Sequence, residues 1–325
     1  MSAVRSERIE TAKCMAVPDG VACKRPALEG KPYCSVHVGP LRGRKPRGAK
    51  EFLAEWRDAA EIAIGRRMRG EGPAKDDHDP ELVKAVMPLA LPLYSGYWRC
   101  EVYGVENVPT EGPAMLAANH SGTIPVDGAM LKVAMLKEHG RNPWLLAADL
   151  AFKIPIFRDV IRIAGDARAD RAETVALLRK GELIGVFPEG FKGIGKGYRK
   201  RYQLQRFGRG GFVEVAMEAG APIIPVAIIG AEEAFPMIAD IKPLARRLGL
   251  PYFPVTPTFP LLGPLGAIPL PSKWIIAFGR PIPTIQFGPE AAEDTQLVLE
   301  TSEETRQAVQ ELLKGYLPMR RNSFF

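Results

Sequence analysis

The chain has 325 residues, 46% apolar and 25% charged, with 30 prolines and 32 glycines that follow no collagen-like period, so a fibrous or wholly disordered polymer is excluded. The formal charge is +7, but residues 1–75 hold 16 Lys and Arg against 9 Asp and Glu, and the other 250 hold 28 of each. The basicity belongs to an N-terminal appendage, so nucleic acid is not an expected partner of the main body.

The opening stretch, MSAVRSERIETAK, lacks the apolar core of a secretory signal, so a cytoplasmic, reducing compartment is expected and disulfides are not. Cys14, Cys23, Cys34 and His37 are spaced C-x8-C-x10-C-x2-H, and Gly20, Gly30 and Pro32 sit between them. Three thiolates and one imidazole make a tetrahedral zinc set, closed to catalysis, so residues 1–38 are read as a structural zinc module. The pattern resembles small Cys3His modules appended to varied proteins. Residues 39–80 then read as a basic linker and an amphipathic helix. The helix is expected over 51–69, with Phe52 and Trp56 at helical spacing and Arg66, Arg67 and Arg69 in its last turn. It lies either on a membrane surface or against the main body.

Residues 81–325 read as one α/β domain, because short apolar runs alternate with helical patterns. Strands are expected at Ala114–Ala118, Trp144–Ala147, Leu183–Phe187, Pro222–Ile229 and Lys273–Phe278. Helices are expected over 128–138, Arg171–Lys180, Phe212–Glu218 and Pro289–Lys314, the last stopped by Gly315. The expected architecture is a mixed, mostly parallel sheet flanked by helices. The longest uncharged run, Leu248–Ser272, carries seven prolines and is no spanning helix. With 85–94, AVMPLALPLY, it is a candidate apolar contact face.

Three segments carry chemistry. In Asn119-His120-Ser121-Gly122-Thr123-Ile124-Pro125-Val126-Asp127, an imidazole follows a buried strand and a carboxylate follows it, the composition of a base with its orienting acid. Val186-Phe187-Pro188-Glu189-Gly190 sets an acid at a strand end beside a tight turn. Between Lys192 and Arg209 stand seven cations and no acid, which favours an anionic partner such as a phosphate, coenzyme A or a lipid headgroup. Arg168 and Arg171, flanking Asp170, also suit an anion.

Taken in order, NH…D, then Gly165 with Arg168 or Arg171, then FPEG, then PIIPVAI resemble the four blocks of the lysophospholipid/glycerol-phosphate acyltransferase family. The likeness covers roughly 98–290, and RYQLQRFGRGGFVEVAMEAGAPIIPVAIIGAEEAFP is similar to its bacterial monoacylglycerol-acyltransferase-like branch. The resemblance implies acyl transfer from acyl-CoA or acyl-carrier protein to a glycerolipid hydroxyl, with no catalytic cofactor and a peripheral site on the inner face of the membrane. It implies His120 as general base, Asp127 as its orienter, and an acceptor held by Asn119, Ser121, Glu189 and Gly190. Arg168 or Arg171, with Lys192, is implied to hold a phosphate.

Two departures stand out. Six residues separate His120 from Asp127 where the family usually has four, so the carboxylate reaches the ring only through a bulged loop. After FPEG comes Phe191-Lys192-Gly193 rather than the family's Thr-Arg-Ser, and Lys lacks the bidentate fork of Arg. A neutral mono- or diacylglycerol acceptor, a hydrolase using the same pair on water, and a binding protein built around the zinc module remain alternative readings.

Overall fold

A computed structural model describes residues 90–124, 126–147, 167–320 and 322–324, with single helical positions between 57 and 85. The set Cys14, Cys23, Cys34 and His37 lies outside the described residues, as does most of the 51–69 segment. The proposed division at residues 38 and 80 falls there too.

Nine strands are described: β1 (Glu101–Tyr103), β2 (Ala114–Ala118), β3 (Trp144–Ala147), β4 (Ala167–Arg168), β5 (Leu183–Val186), β6 (Ile223–Ile229), β7 (Ala239–Asp240), β8 (Pro254–Val255) and β9 (Ile275–Phe278). The helices are α1 (Val126–Ala134), α2 (Arg171–Arg179), α3 (Phe191–Ile194), α4 (Gly211–Ala219), α5 (Ala231–Ala234), α6 (Lys242–Arg247) and α7 (Thr295–Tyr316). Seven strands form one sheet in the order β1-β9-β6-β2-β5-β3-β4, and β7 pairs with β8 apart from it. All neighbours in the large sheet run parallel except β6 and β9. The expected mixed, mostly parallel sheet is what the chain forms.

The central strands read as continuous apolar runs because both faces are covered. Met115 and Ala117 of β2, with Ile223, Ala227 and Ile229 of β6, join one core, roofed by α2, α4 and α7. Ala114, Leu116 and Ala118, with Ile224, Val226 and Ile228, join a second core beneath α1. Side chains alternate across the pleat, so one strand feeds both layers. In the second core Trp98 stacks on Trp274 at 4.7 Å between centroids.

The late helix differs from expectation. Pro289–Glu293 is a separate 3-10 turn, and α7 starts after Asp294, whose carboxylate accepts from the backbone N–H of Gln296 and Leu297. Nor does Gly315 stop it: α7 runs through Gly315 to Tyr316, because Tyr316 is fully buried in the first core. The chain leaves helical geometry in a further 3-10 turn containing Pro318.

Asp294→Ala removes that cap and is expected to lower stability by about 1 kcal/mol, the usual worth of an N-cap carboxylate. A urea denaturation midpoint shifted down at unchanged slope would show it.

Candidate active site

His120 stands just past the carboxyl end of β2, the edge where an open α/β sheet presents functional groups. Asn119 fixes the strand end: its amide donates to the Ile228 carbonyl at 3.0 Å and its oxygen accepts from Ile228 N–H at 2.7 Å. Its side chain is fully buried, and these two bonds splice β2 to β6.

The imidazole Nδ1 lies 2.7 Å from Asp127 Oδ2. The same oxygen accepts from Ser121 N–H at 2.8 Å, and Oδ1 accepts from Gly128 N–H at 2.9 Å. An acceptor carboxylate against Nδ1 assigns the ring proton to that nitrogen and leaves Nε2 with its lone pair. Asp127 is fully buried while the His120 side chain keeps 15% exposure. The pair is thus anchored on one side and open on the other. Ser121 is likewise fully buried, and its backbone N–H serves the carboxylate.

The longer loop between His120 and Asp127 closes because it is pinned along its length. Gly122 takes φ +83°, and a Cβ there would meet the Ala231 carbonyl at 2.9 Å. Thr123 Oγ1 donates to the Phe235 carbonyl at 2.8 Å, and Tyr252 hydroxyl donates to the Thr123 carbonyl at 2.6 Å. The extra residues are therefore held in a fixed excursion, and Asp127 enters the first turn of α1 facing back to the ring.

The FPEG segment packs on the same histidine. The Phe187 ring stacks over the imidazole at 4.4 Å between centroids and covers one face of it. Glu189 Oε1 accepts from His120 N–H at 3.1 Å, and Oε2 accepts from Gln205 N–H at 2.7 Å. Glu189 is only 4% exposed, and through these bonds it braces the histidine loop from behind. Gly190 turns the chain into α3, where Gly193 lies so close that a Cβ would meet the His120 carbonyl at 2.7 Å.

The cationic stretch divides. Lys196 Nζ sits 3.5 Å from Glu189 and 3.1 Å from Glu232, and its side chain is 4% exposed. Burial pushes Glu232 up to about 7, against the opposing pull of Lys196 and of the Tyr202 N–H. Arg201 pairs with Glu233 at 3.6 Å. Lys192, Arg199, Lys200, Arg206 and Arg209 are exposed, with no carboxylate paired to them among the described residues. Lys192, Arg199 and Lys200, with Gln205, Met237 and Ile238, line a cleft of about 740 Å³ on the outer side of α3.

Arg171 opens α2 and binds Glu214 at 2.7 Å and Glu218 at 3.1 Å, so its charge is already matched by α4. Arg168 lies in β4, three strands from β2 in the sheet order, about 14 Å by strand spacing. Cys100 is no rival nucleophile, because burial pushes its thiol far above the ordinary value. Among the described residues no cluster of His, Cys, Asp or Glu is placed to hold a metal.

Sequence reading missed Lys196, Glu232, Phe187 and Tyr252. Phe187 was visible inside FPEG, but Lys196 looked like one surface cation among seven, since nothing local marks its burial.

The acyltransferase family model matches residues 99–229. An uncharacterized protein of Mycobacterium tuberculosis is 49% identical over 250 residues, covering 76% of this chain and 70% of that protein. The human DGAT1/2-independent enzyme synthesizing storage lipids is 28% identical over 224 residues, 68% of this chain and 62% of that protein. Among solved structures, the 1-acyl-sn-glycerophosphate (LPA) acyltransferase PlsC from Thermotoga maritima matches with a TM-score of 0.46 and 18% identity, over 80% of this chain and 94% of that one.

Lys196→Met leaves Glu189 and Glu232 buried without their shared cation, and is expected to lower stability by about 3–5 kcal/mol. Adding Glu232→Gln removes one of the stranded carboxylates and should restore a large part of that loss. Denaturant midpoints of the single and double variants measure both effects.

Proposed function

The chain belongs to the acyltransferase family, and from that premise we propose that it is a glycerolipid O-acyltransferase with His120 as its general base. The donor is acyl-CoA or acyl-carrier protein, and the acceptor is lysophosphatidic acid or another lysophospholipid. The observation that carries this reading is the 2.7 Å contact between His120 Nδ1 and the buried Asp127, which leaves Nε2 as the basic, outward atom.

In the reaction, Nε2 takes the proton of the acceptor hydroxyl as its oxygen attacks the thioester carbonyl. The C–S bond breaks as the tetrahedral adduct collapses, and the leaving thiolate recovers the proton from the imidazolium. Asp127 holds the ring in one tautomer and stabilises its transient charge. Phe187 covers the ring face and limits water, which matters because water is the competing acceptor. Lys192, Arg199 and Lys200 offer positive charge along the neighbouring cleft to the phosphates of the donor or the acceptor.

One observation favours a second acceptor. Arg171 is committed to Glu214 and Glu218, which removes one of the expected phosphate ligands and suits a neutral mono- or diacylglycerol. The human relative is an enzyme named for synthesizing storage lipids, in keeping with that alternative.

Labelled acyl-CoA incubated with lysophosphatidic acid and, separately, with monoacylglycerol decides between them. His120→Ala is expected to cut transfer by roughly 10²–10⁴-fold, the usual range for a positioned base, in a chain that still unfolds cooperatively at a lowered midpoint, since Asp127 loses one of its three donors. Fatty acid released at the same rate without acceptor would instead mark a hydrolase, and full activity in the variant would remove His120 from the mechanism.

We also propose that Cys14, Cys23, Cys34 and His37 hold one structural zinc, since three sulfurs and one imidazole are the donor chemistry of a closed tetrahedral site. Elemental analysis of the purified chain should find about one zinc per molecule. Cys14→Ser with Cys23→Ser should lose it, and a wild-type chain purified without zinc would exclude the site.

A further inference from the structure

Beyond the catalytic edge, residues 238–268 form a lobe hung from the β7–β8 ribbon. Its outer surface is unusually apolar: Leu261 is 84% exposed, Leu265 65%, Ile238 61%, Ile268 58%, Leu262 55% and Leu248 53%. Large exposed apolar patches on a folded chain mark contact surfaces.

These side chains are held outward by a fixed backbone. Thr256 Oγ1 accepts from Phe259 N–H at 2.9 Å, and Thr258 Oγ1 donates to the Gly266 carbonyl at 3.2 Å. The base is clamped by Tyr97 hydroxyl to the Pro269 carbonyl at 2.7 Å and by Trp98 Nε1 to the Leu270 carbonyl at 3.1 Å.

Charge identifies the occupant. Lys242, Arg246 and Arg247 of α6 are exposed. The single acid between 234 and 272 is Asp240, whose carboxylate is engaged by Phe253 N–H at 2.9 Å. Ile238 is shared with the cleft lined by Lys192, Arg199 and Lys200, so a second cationic group borders the lobe. A second copy of the chain would set these cations against one another. Protein interfaces favour aromatic residues, Met and Arg, whereas the six side chains that form the face named above are all Leu or Ile. Aliphatic side chains rimmed by cations suit hydrocarbon below and anionic headgroups around it.

We propose that the 238–268 lobe docks on an anionic phospholipid bilayer, seating Leu261, Leu262, Leu265 and Ile268 among the acyl chains and Lys242, Arg246 and Arg247 against the headgroups. Tyr252, inside the lobe, bonds the Thr123 carbonyl of the histidine loop, so docking brings the catalytic edge to the lipid. The proposal rests on the acyltransferase reading only for the relevance of lipid as substrate.

The test uses the full chain and sedimentation with vesicles of phosphatidylcholine, alone or mixed with phosphatidylglycerol. Wild-type protein is expected to bind the anionic vesicles, less so at high salt. Leu261→Asp with Leu265→Asp should lower the partition coefficient about tenfold or more on removal of two aliphatic anchors. Arg246→Glu with Arg247→Glu should weaken binding to anionic vesicles alone. Both variants should keep the wild-type thermal melt and the transfer rate to a short-chain acceptor in solution. Three results overturn the proposal: no vesicle binding by the wild type, wild-type binding by the Leu261/Leu265 variant, or a wild-type dimer in solution that this variant dissociates without vesicle binding. Intact vesicle binding with no transfer to the soluble acceptor would instead reject the proposed function and leave the docking surface standing.

Discussion

Everything at the candidate site hangs on one buried carboxylate. Asp127 has no exposure and accepts from the His120 ring, from Ser121 N–H and from its neighbour Gly128 N–H. A carboxylate taken out of water is costly unless donors replace its hydration. Three donors do so here, and each fixes a different piece: the imidazole, the loop that follows it, and the start of α1. The geometry of the imidazole follows from satisfying the acid.

A second set of buried charges stiffens the site from behind. Glu189 reaches His120 N–H, Lys196 bridges Glu189 to Glu232, and Glu232 accepts from Tyr202 N–H at 3.1 Å. Tyr202 holds the left-handed backbone region at φ +60°, a conformation that persists only where surrounding contacts over-determine it. Its N–H, its carbonyl with Gln310, and its hydroxyl with Glu233 are all engaged. Arg320 closes the network with two contacts to Glu233, 2.7 and 3.2 Å. Such networks contribute rigidity more surely than stability. Here a C-terminal arginine is linked, bond by bond, to the backbone of the candidate base.

Much of this was legible in the sequence, and the limits have physical causes. Strands β2, β3, β5 and β6 showed as apolar runs because both faces of the sheet are covered. β1 and β4 did not, since three residues and two residues give no period to read. The His120–Asp127 pair was readable as composition, but its closure depended on Thr123 meeting Phe235 and Tyr252, contacts more than a hundred residues away in sequence. Charge misled most. Arg171 pairs with Glu214 and Glu218 of α4, which no local charge pattern announces, and Lys196 looked exposed and is buried. A one-dimensional charge count cannot distinguish a cation facing solvent from one between two carboxylates.

The proline-rich run illustrates the opposite case, in which composition carried the information and position gave it meaning. Twenty-five uncharged residues from Leu248 to Ser272 cannot make a spanning helix, and no helix among the described residues is long and apolar enough to cross a membrane. Prolines instead force a compact lobe with few backbone donors to satisfy, which lets aliphatic side chains stand exposed without frayed secondary structure. Tyr252 lies in that run and yet bonds the histidine loop. Burial beside the site pushes its hydroxyl well above the ordinary tyrosine range, with the Asp127 charge adding to the effect, so it remains a neutral donor to Thr123. The apolar lobe and the histidine loop are therefore joined through Tyr252, and displacement of the lobe would be felt at the excursion that lets Asp127 reach His120.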